Sequence, residues 1–376
     1  MPDEFDTEDE VEEHLLAGRY PEALALLERL LDAAPDNAAG LVMRSEAYRA
    51  LERYEESLAD LERAAELAPH DAEVFAARGE TLQLMDRFEE ALADFDRAAV
   101  LDPTDPTIFA VRGDTYSALE RYEEALQDYD RAIELEALPC EADYGDEDEA
   151  EAAEEEDDDE PGPDPVTLAS RGQIYRVLDR HEEALEDLSR AIEMDPEFAW
   201  ALAERGEAYR LMRQYGRAIA DFNRAIDLDP EEDWALSKRG ELQLAFRQPE
   251  KAIEDFNRAI EIDPDDWYYY LRGLAWRLLE RESRAVADFR AALERVREKI
   301  DDAPEVGRDL ANAATYHLAL GAFEEAERLY RDALAGRTTA GVIRETVGDL
   351  DDFLHVFPQH EQARKMRDLL ASALGE

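Results

Sequence analysis

The chain has 376 residues and sets 96 acidic against 42 basic side chains, a formal net charge of -54. Nucleic acids and anionic membranes are held by Lys and Arg that displace counterions, so this balance disfavours both as partners. A single cysteine, Cys140, excludes an internal disulfide and a cysteine-based zinc knuckle.

The opening "MPDEFDTEDE" has neither the basic nor the apolar region of a leader, and the chain has no apolar run of about 18 residues, so a cytoplasmic protein is expected. Residues 4–37 carry Gly18, Tyr20, Ala23 and Pro35 but place Val11 where later stretches hold glycine. Three regular repeats come next at 38–71, 72–105 and 106–137, in which Ser57, Ala91 and Ala125 recur every 34 residues. A period of that length predicts stacked helical hairpins, with an irregular first member as a cap. The same repeats show glycine at position eight (Gly79, Gly113), a large residue three further on (Tyr48, Leu82, Tyr116), a ring at Phe95 and Tyr129, and a stop at Pro69 and Pro103. Proline has no backbone donor and clashes with the preceding turn, so the second helix must end before it.

Ala125 and Ala184 stand 59 residues apart, one period plus 25. Residues 138–164 fill that gap with acidic text and no base, too little apolar surface to offset ordering entropy, and a disordered acidic insertion is expected. The acidity is nevertheless global: leaving out residues 136–165, which hold 16 acids, the chain keeps 80 acids against 42 bases, in line with solubility or a saline cytoplasm. Four further repeats run at 165–198, 199–232, 233–265 and 266–299, with a diverged hairpin after them at 300–336 that holds Gly321, Ala326, Tyr330 and Ala333. Two amphipathic stretches within 337–376, at 340–356 and 359–374, are divided by Pro358 and read as capping helices.

Phrases such as "RGEAYRLMRQYGRAIADFNRAIDLDP" hold glycine, tyrosine, alanine, phenylalanine, alanine and proline in the register of the tetratricopeptide repeat family, which the chain resembles over residues 4–336. The resemblance implies an all-α, right-handed superhelical solenoid of eight to nine hairpins plus C-terminal capping helices. It also implies a non-enzymatic scaffold that binds proteins.

Two departures from the family pattern occur together. Position seven, usually leucine, is arginine at Arg44, Arg78, Arg112, Arg171, Arg205, Arg239 and Arg272. Position 23, often tyrosine, is aspartate at Asp60, Asp94, Asp128, Asp187, Asp221, Asp255 and Asp288. A guanidinium among packed helices requires a carboxylate, so a ladder of Arg–Asp pairs between first and second helices is expected. The alternative is two solvated charged stripes that never meet.

In the family, positions two, five, nine and twelve of the first helix line a concave ligand groove. Here position two holds Trp200, Trp234 and Trp267, and position five of the last holds Tyr270. These are either exposed binding anchors or core residues that cover the preceding turn. Position nine is mostly acidic, at Glu46, Glu80, Asp114, Glu207 and Glu241, while position twelve adds Arg49, Arg176, Arg210 and Arg277. Carboxylates beside indoles favour a basic or aromatic peptide, which places the expected groove at repeats six to eight. Position five holds Val42, Ala76, Ala110, Ala169 and Ala203, which speaks against the family's clamp for acidic C-termini.

The six histidines are scattered, and no phosphate loop, nucleophile elbow or metal-ligand spacing occurs, so neither catalysis, cofactor nor metal is expected. The reading is a monomeric scaffold for one or more proteins. Its rival is an acidic chaperone that shields a basic client through the insertion and the acidic surface.

Overall fold

A helix needs a start and a stop, and the repeat writes both at fixed spacing. The computed structural model describes residues 4–138, 162–302, 307–336 and 338–375, among which there are twenty α-helices and no strand. Residues 139–161, most of the expected acidic insertion, lie outside the described residues. None of the described helices is long and apolar enough to cross a membrane.

The chain divides into two compact bodies, one up to Met194 and one from Asp195 on. The first holds five hairpins: α1 (Glu4–Leu16) with α2 (Tyr20–Ala33), α3 (Ala38–Ala50) with α4 (Tyr54–Leu67), α5 (Ala72–Leu84) with α6 (Phe88–Leu101), α7 (Pro106–Ala118) with α8 (Tyr122–Glu136), and α9 (Pro165–Val177) with α10 (His181–Met194). The second holds α11 (Ala199–Leu211) with α12 (Tyr215–Leu228), α13 (Asp233–Ala245) with α14 (Pro249–Ile262), and α15 (Asp266–Leu278) with the longer α16 (Glu282–Asp302). It continues with α17 (Gly307–Ala319) and α18 (Phe323–Ala335), then α19 (Ala340–Val356) and α20 (Glu361–Leu374).

Asn37, Asp71, Asp105, Asp164 and Asp265 begin first helices by accepting a backbone N–H of the opening turn. The second helices end two residues ahead of Pro69, Pro103, Pro196, Pro230 and Pro264. On either side of the long gap, the Asp164 backbone N–H donates to Glu136 at 2.9 Å, so α9 stacks on α8 as the other hairpins stack on theirs.

The hairpin closes on bare backbone at position eight. A Cβ on Gly79 would stand 2.6 Å from the Phe95 ring, and one on Gly240 would stand 2.5 Å from Phe256. Both rings are fully buried. Where the repeat has Ser45 instead of glycine, the ring position is Leu61, and both are fully buried, while Gly172 also stands against a leucine, Leu188.

The turn between the two helices of a hairpin runs through one left-handed residue. Glu52, Asp86, Glu120, Asp179, Arg213, Arg247 and Glu280 all have φ between 55° and 59°, and Gly18 and Gly321 take the same place elsewhere. The next backbone N–H returns to the position-eleven carbonyl, as Arg53 does to Tyr48 at 2.8 Å. That arginine also covers the Tyr48 ring at 4.5 Å and pairs with Glu56, an arrangement repeated by Arg121 over Tyr116 and Arg180 over Tyr175. A non-glycine residue in this region places its Cβ against the carbonyl, so Glu52→Gly should raise stability by about 0.5–1 kcal/mol. A thermal melt should shift upward, and a downward shift would mean that the Glu52 side chain holds the turn by some other means.

Candidate functional site

Any ligand surface must be what remains after the repeat has joined its own helices. Each of the seven position-seven arginines donates two hydrogen bonds, through Nε and Nη2, to the two oxygens of the position-23 aspartate in its own hairpin. The pairs are Arg44–Asp60, Arg78–Asp94, Arg112–Asp128, Arg171–Asp187, Arg205–Asp221, Arg239–Asp255 and Arg272–Asp288, at 2.6–3.0 Å. The aspartate side chains keep only 6–12% of their exposure and the arginines 16–24%, which separates these forks from exposed ion pairs.

In four of these arginines the third guanidinium nitrogen, Nη1, reaches the hairpin before. It donates from Arg112 to Asp96 at 2.9 Å, from Arg171 to Asp130 at 2.7 Å, and from Arg239 to Asn223 and Arg272 to Asn257, both at 2.8 Å. These acceptors stand two residues beyond the position-23 aspartates, where "DFD", "DYD" and "DFN" could have signalled them. A second staple runs from Arg97, Arg224, Arg258 and Arg295 to the carbonyls of Pro69, Pro196, Pro230 and Pro264, at 2.5–3.0 Å. All these groups are committed to architecture.

In the first body an open cleft of about 1140 Å³ lies along α3, α5 and α7 and the loops that precede α5 and α7. Its floor is small and apolar, with Val42, Ala72, Ala76, Ala77, Ile108 and Val111. Its walls carry Glu46, Asp71, Glu73, Glu80, Asp102 and Asp105 against Arg49 and His70. Arg49 is spoken for by an ion pair with Glu80. Burial, with Asp71 and Glu46 adding like charge, pushes the Glu73 carboxyl above its ordinary range. A carboxylate held among carboxylates is stabilised by a bound cation. Of the position-nine acids, Glu46 and Glu80 line the cleft, whereas Asp114 accepts from the Tyr129 hydroxyl at 2.7 Å. Glu73 holds position two of its repeat, the register of the three tryptophans, whereas Asp71, Asp102 and Asp105 lay outside the expected groove register; their signal was the acidic capping text that opens each repeat.

The second body treats the expected aromatic anchors unequally. Trp200, Trp234 and Trp267 are all half-buried. Trp200 leans on Phe198 at 5.7 Å between ring centroids, and Lys238 Nζ lies 5.9 Å from the Trp234 ring. Tyr270 is no exposed anchor: at 2% exposure it is core, packed at 4.9 Å on Trp267, 5.2 Å on Tyr316 and 5.9 Å on Phe289. Tyr270 is covered because α17 of the diverged hairpin brings Tyr316 against it. Glu207 is also buried, and Arg210 Nε and Nη2 take its two oxygens at 2.6 and 2.8 Å, so it is not an open carboxylate either. Glu241 accepts from Lys238 at 2.9 Å, and Arg277 donates to Glu282 at 2.9 Å while covering Phe289. Arg176 stands on α9, in the other body.

The expected capping helices do more than close an end. While α19 and α20 pack on α17 and α18, α19 also reaches the helices that carry the groove register. Asp352 lies 3.4 Å from Arg210 Nη1, and Arg247 Nη2 donates to the Val356 carbonyl at 3.4 Å. Burial pushes the Asp349 carboxyl well up, with Glu345, Glu241 and Asp352 adding to the shift and Lys238 opposing it.

Models described as tetratricopeptide repeat match residues 14–80, 107–137, 199–232, 235–266 and 310–340, and one described as TPR repeat matches 172–213. No curated protein matches the chain. Among solved structures, a tetratricopeptide repeat protein from Parabacteroides merdae is 18% identical with a TM-score of 0.51, over 74% of this chain and 98% of that one. The human IFIT1 dimer with PPP-AAAA is 15% identical with a TM-score of 0.52, over 86% of this chain and 81% of that one. YrrB, a TPR protein with an unusual peptide-binding site, is 22% identical with a TM-score of 0.39, over 55% of this chain and 94% of that one. At these identities the likeness is one of fold.

Proposed function

The chain belongs to the tetratricopeptide repeat family, and from that premise we propose that it is a protein-interaction scaffold whose first body takes a basic segment of a partner into the acidic cleft along α3, α5 and α7. One observation carries this reading: six carboxylates surround a floor of alanine, valine and isoleucine, Glu80 paired with the cleft's one arginine, Asp71, Asp102 and Asp105 accepting from nearby backbone, and Glu46 and Glu73 beside them. Small floor residues leave room for a backbone to lie close, and the walls suit Arg or Lys side chains. The groove expected at repeats six to eight is less suited to a basic segment, because Tyr270 and Glu207 are buried and α19 already lies beside Arg210. Nothing in the cleft assembles a nucleophile with a base, so the proposed role is binding without chemistry.

The test uses a fluorescent peptide of alternating arginine and alanine, titrated with the full chain at low and high salt. Glu46→Lys with Glu73→Lys should weaken binding at least tenfold, about 1.4 kcal/mol, and wild-type binding should weaken as salt rises. Equal affinity for the variant and the wild type would overturn the assignment. The rival reading, an acidic escort acting through residues 138–164, is separated by deleting residues 141–162. Loss of peptide binding in that deletion, with the cleft intact, would transfer the function to the insertion.

A further inference from the structure

The second body presents a different surface with opposite chemistry. Four cations, Arg210, Lys238, Arg247 and Arg277, stand on or beside α11, α13 and α15, with Glu207, Glu241 and Glu282 as ion-pair partners of three of them. In a chain of net charge -54, a face with more cations than anions is exceptional, and Lys238 is one of only four lysines. Beneath it, the hydroxyls of Ser237 and Tyr270 occupy the same position five of α13 and α15. Both residues are at least 98% buried, and neither hydroxyl has a hydrogen-bond partner among the described residues. Two successive orphaned hydroxyls at equivalent positions of a repeat mark a face built to meet polar groups of something else.

The element that meets that face here is α19. Its stripe of Val342, Thr346, Leu350 and Phe353 is buried, and the flank beside it sets Asp352 at 3.4 Å from Arg210, with Asp349 three residues before it. The hold on the cationic side is slight. Both direct contacts are 3.4 Å long, the Asp352 side chain keeps 65% of its exposure, and the hydroxyls beneath remain unpaired.

We propose that the inner face of the second body is a groove for an amphipathic helix bearing carboxylates along one flank, that α19 is its built-in occupant, and that a partner helix of this chemistry takes the groove by displacing α19. A tethered occupant competes at an effective concentration of the order of millimolar, so partner affinity is set by how firmly α19 is seated.

The probe is a labelled peptide with the sequence of residues 340–356, titrated with the full chain. Asp349→Arg with Asp352→Arg in the chain unseats α19 electrostatically and should tighten peptide binding at least tenfold over wild type. Adding Arg210→Glu and Lys238→Glu should abolish that gain. In wild type, excess peptide should speed hydrogen exchange across residues 340–356 while α11–α14 stay protected. Should the double arginine variant fail to fold, Asp352→Ala in the chain alone removes the contact with Arg210 from α19 and leaves it to the peptide, and should tighten binding in the same sense. Affinity indifferent to these changes, or no acceleration of exchange in α19, overturns the proposal.

Discussion

Asp255→Ala should cost about 3 kcal/mol, read as a fall in the denaturation midpoint together with faster hydrogen exchange in α13 and α14. The carboxylate receives three donors, Nε and Nη2 of Arg239 and Nε2 of Gln243, all within 2.8 Å, and its side chain is 6% exposed. Removing it strands a guanidinium that is itself only 19% exposed. Breaking one side of such a pair costs more than the pair contributes, because the remaining charge must be accommodated without its counter-charge. Asp255→Asn, which keeps the shape but not the charge, should therefore fall between wild type and alanine. Arg239→Met combined with Asp255→Leu should cost much less than the two single changes added together. If alanine at 255 is silent, the fork is a surface ion pair, and exposed pairs contribute only about 0–1 kcal/mol.

Phe256→Ala should be at least as damaging, about 3–5 kcal/mol, because a fully buried ring is deleted from the hairpin centre. The more discriminating experiment uses its neighbour. Gly240→Ser drives a side chain into a ring that would lie 2.5 Å from the new Cβ, an overpacking worth about 1–3 kcal/mol. The second hairpin holds serine and leucine at these two positions, Ser45 and Leu61, both fully buried. Gly240→Ser with Phe256→Leu should be milder than the sum of the single changes by about 1 kcal/mol or more. Strict additivity in urea titrations would show that the glycine and the ring are not a coupled pair. Because stacked repeats need not unfold in one step, exchange rates within α13–α14 are the cleaner reading.

Local features of the fold were legible in the sequence because each is written at a fixed offset. The 34-residue spacing, the prolines after second helices and the Asp or Asn before first helices place the boundaries, as in "LDPTDPT" between α6 and α7. The joint occurrence of arginine at seven and aspartate at 23 contained the forks, since a 16-residue offset joins the two helices of one hairpin. The link to the hairpin before was missed, although Asp96, Asp130, Asn223 and Asn257 recur in register, because its acceptor alternates between two residue types.

The candidate sites were less legible, for a physical reason. A period states the features that every repeat shares and carries no information on the chain beyond the last regular copy. Tyr270 looked like an open groove residue because Tyr316, which buries it, lies in the diverged hairpin. Glu207 looked available because its partner, Arg210, was read as a second groove residue. Asp352 approaches Arg210 from 142 residues away, a contact no repeat pattern encodes. The first-body cleft was half-visible, with Glu46, Glu73 and Glu80 in the expected register and Asp71, Asp102 and Asp105 in the loops between hairpins.

Arg112, Arg171, Arg239 and Arg272 divide their bonds unequally, two to their own hairpin and one to the hairpin before. Within each body this makes stiff and soft springs in series: a load that bends the stack strains the single bond first and leaves the fork closed. Hairpins then behave as rigid plates, and compliance gathers at the junctions, where an arginine can lose Asp96 or Asn223 and regain it without a helix unwinding. Such a stack can open or close around a bound segment by small, shared and reversible steps, with the elastic energy stored between repeats.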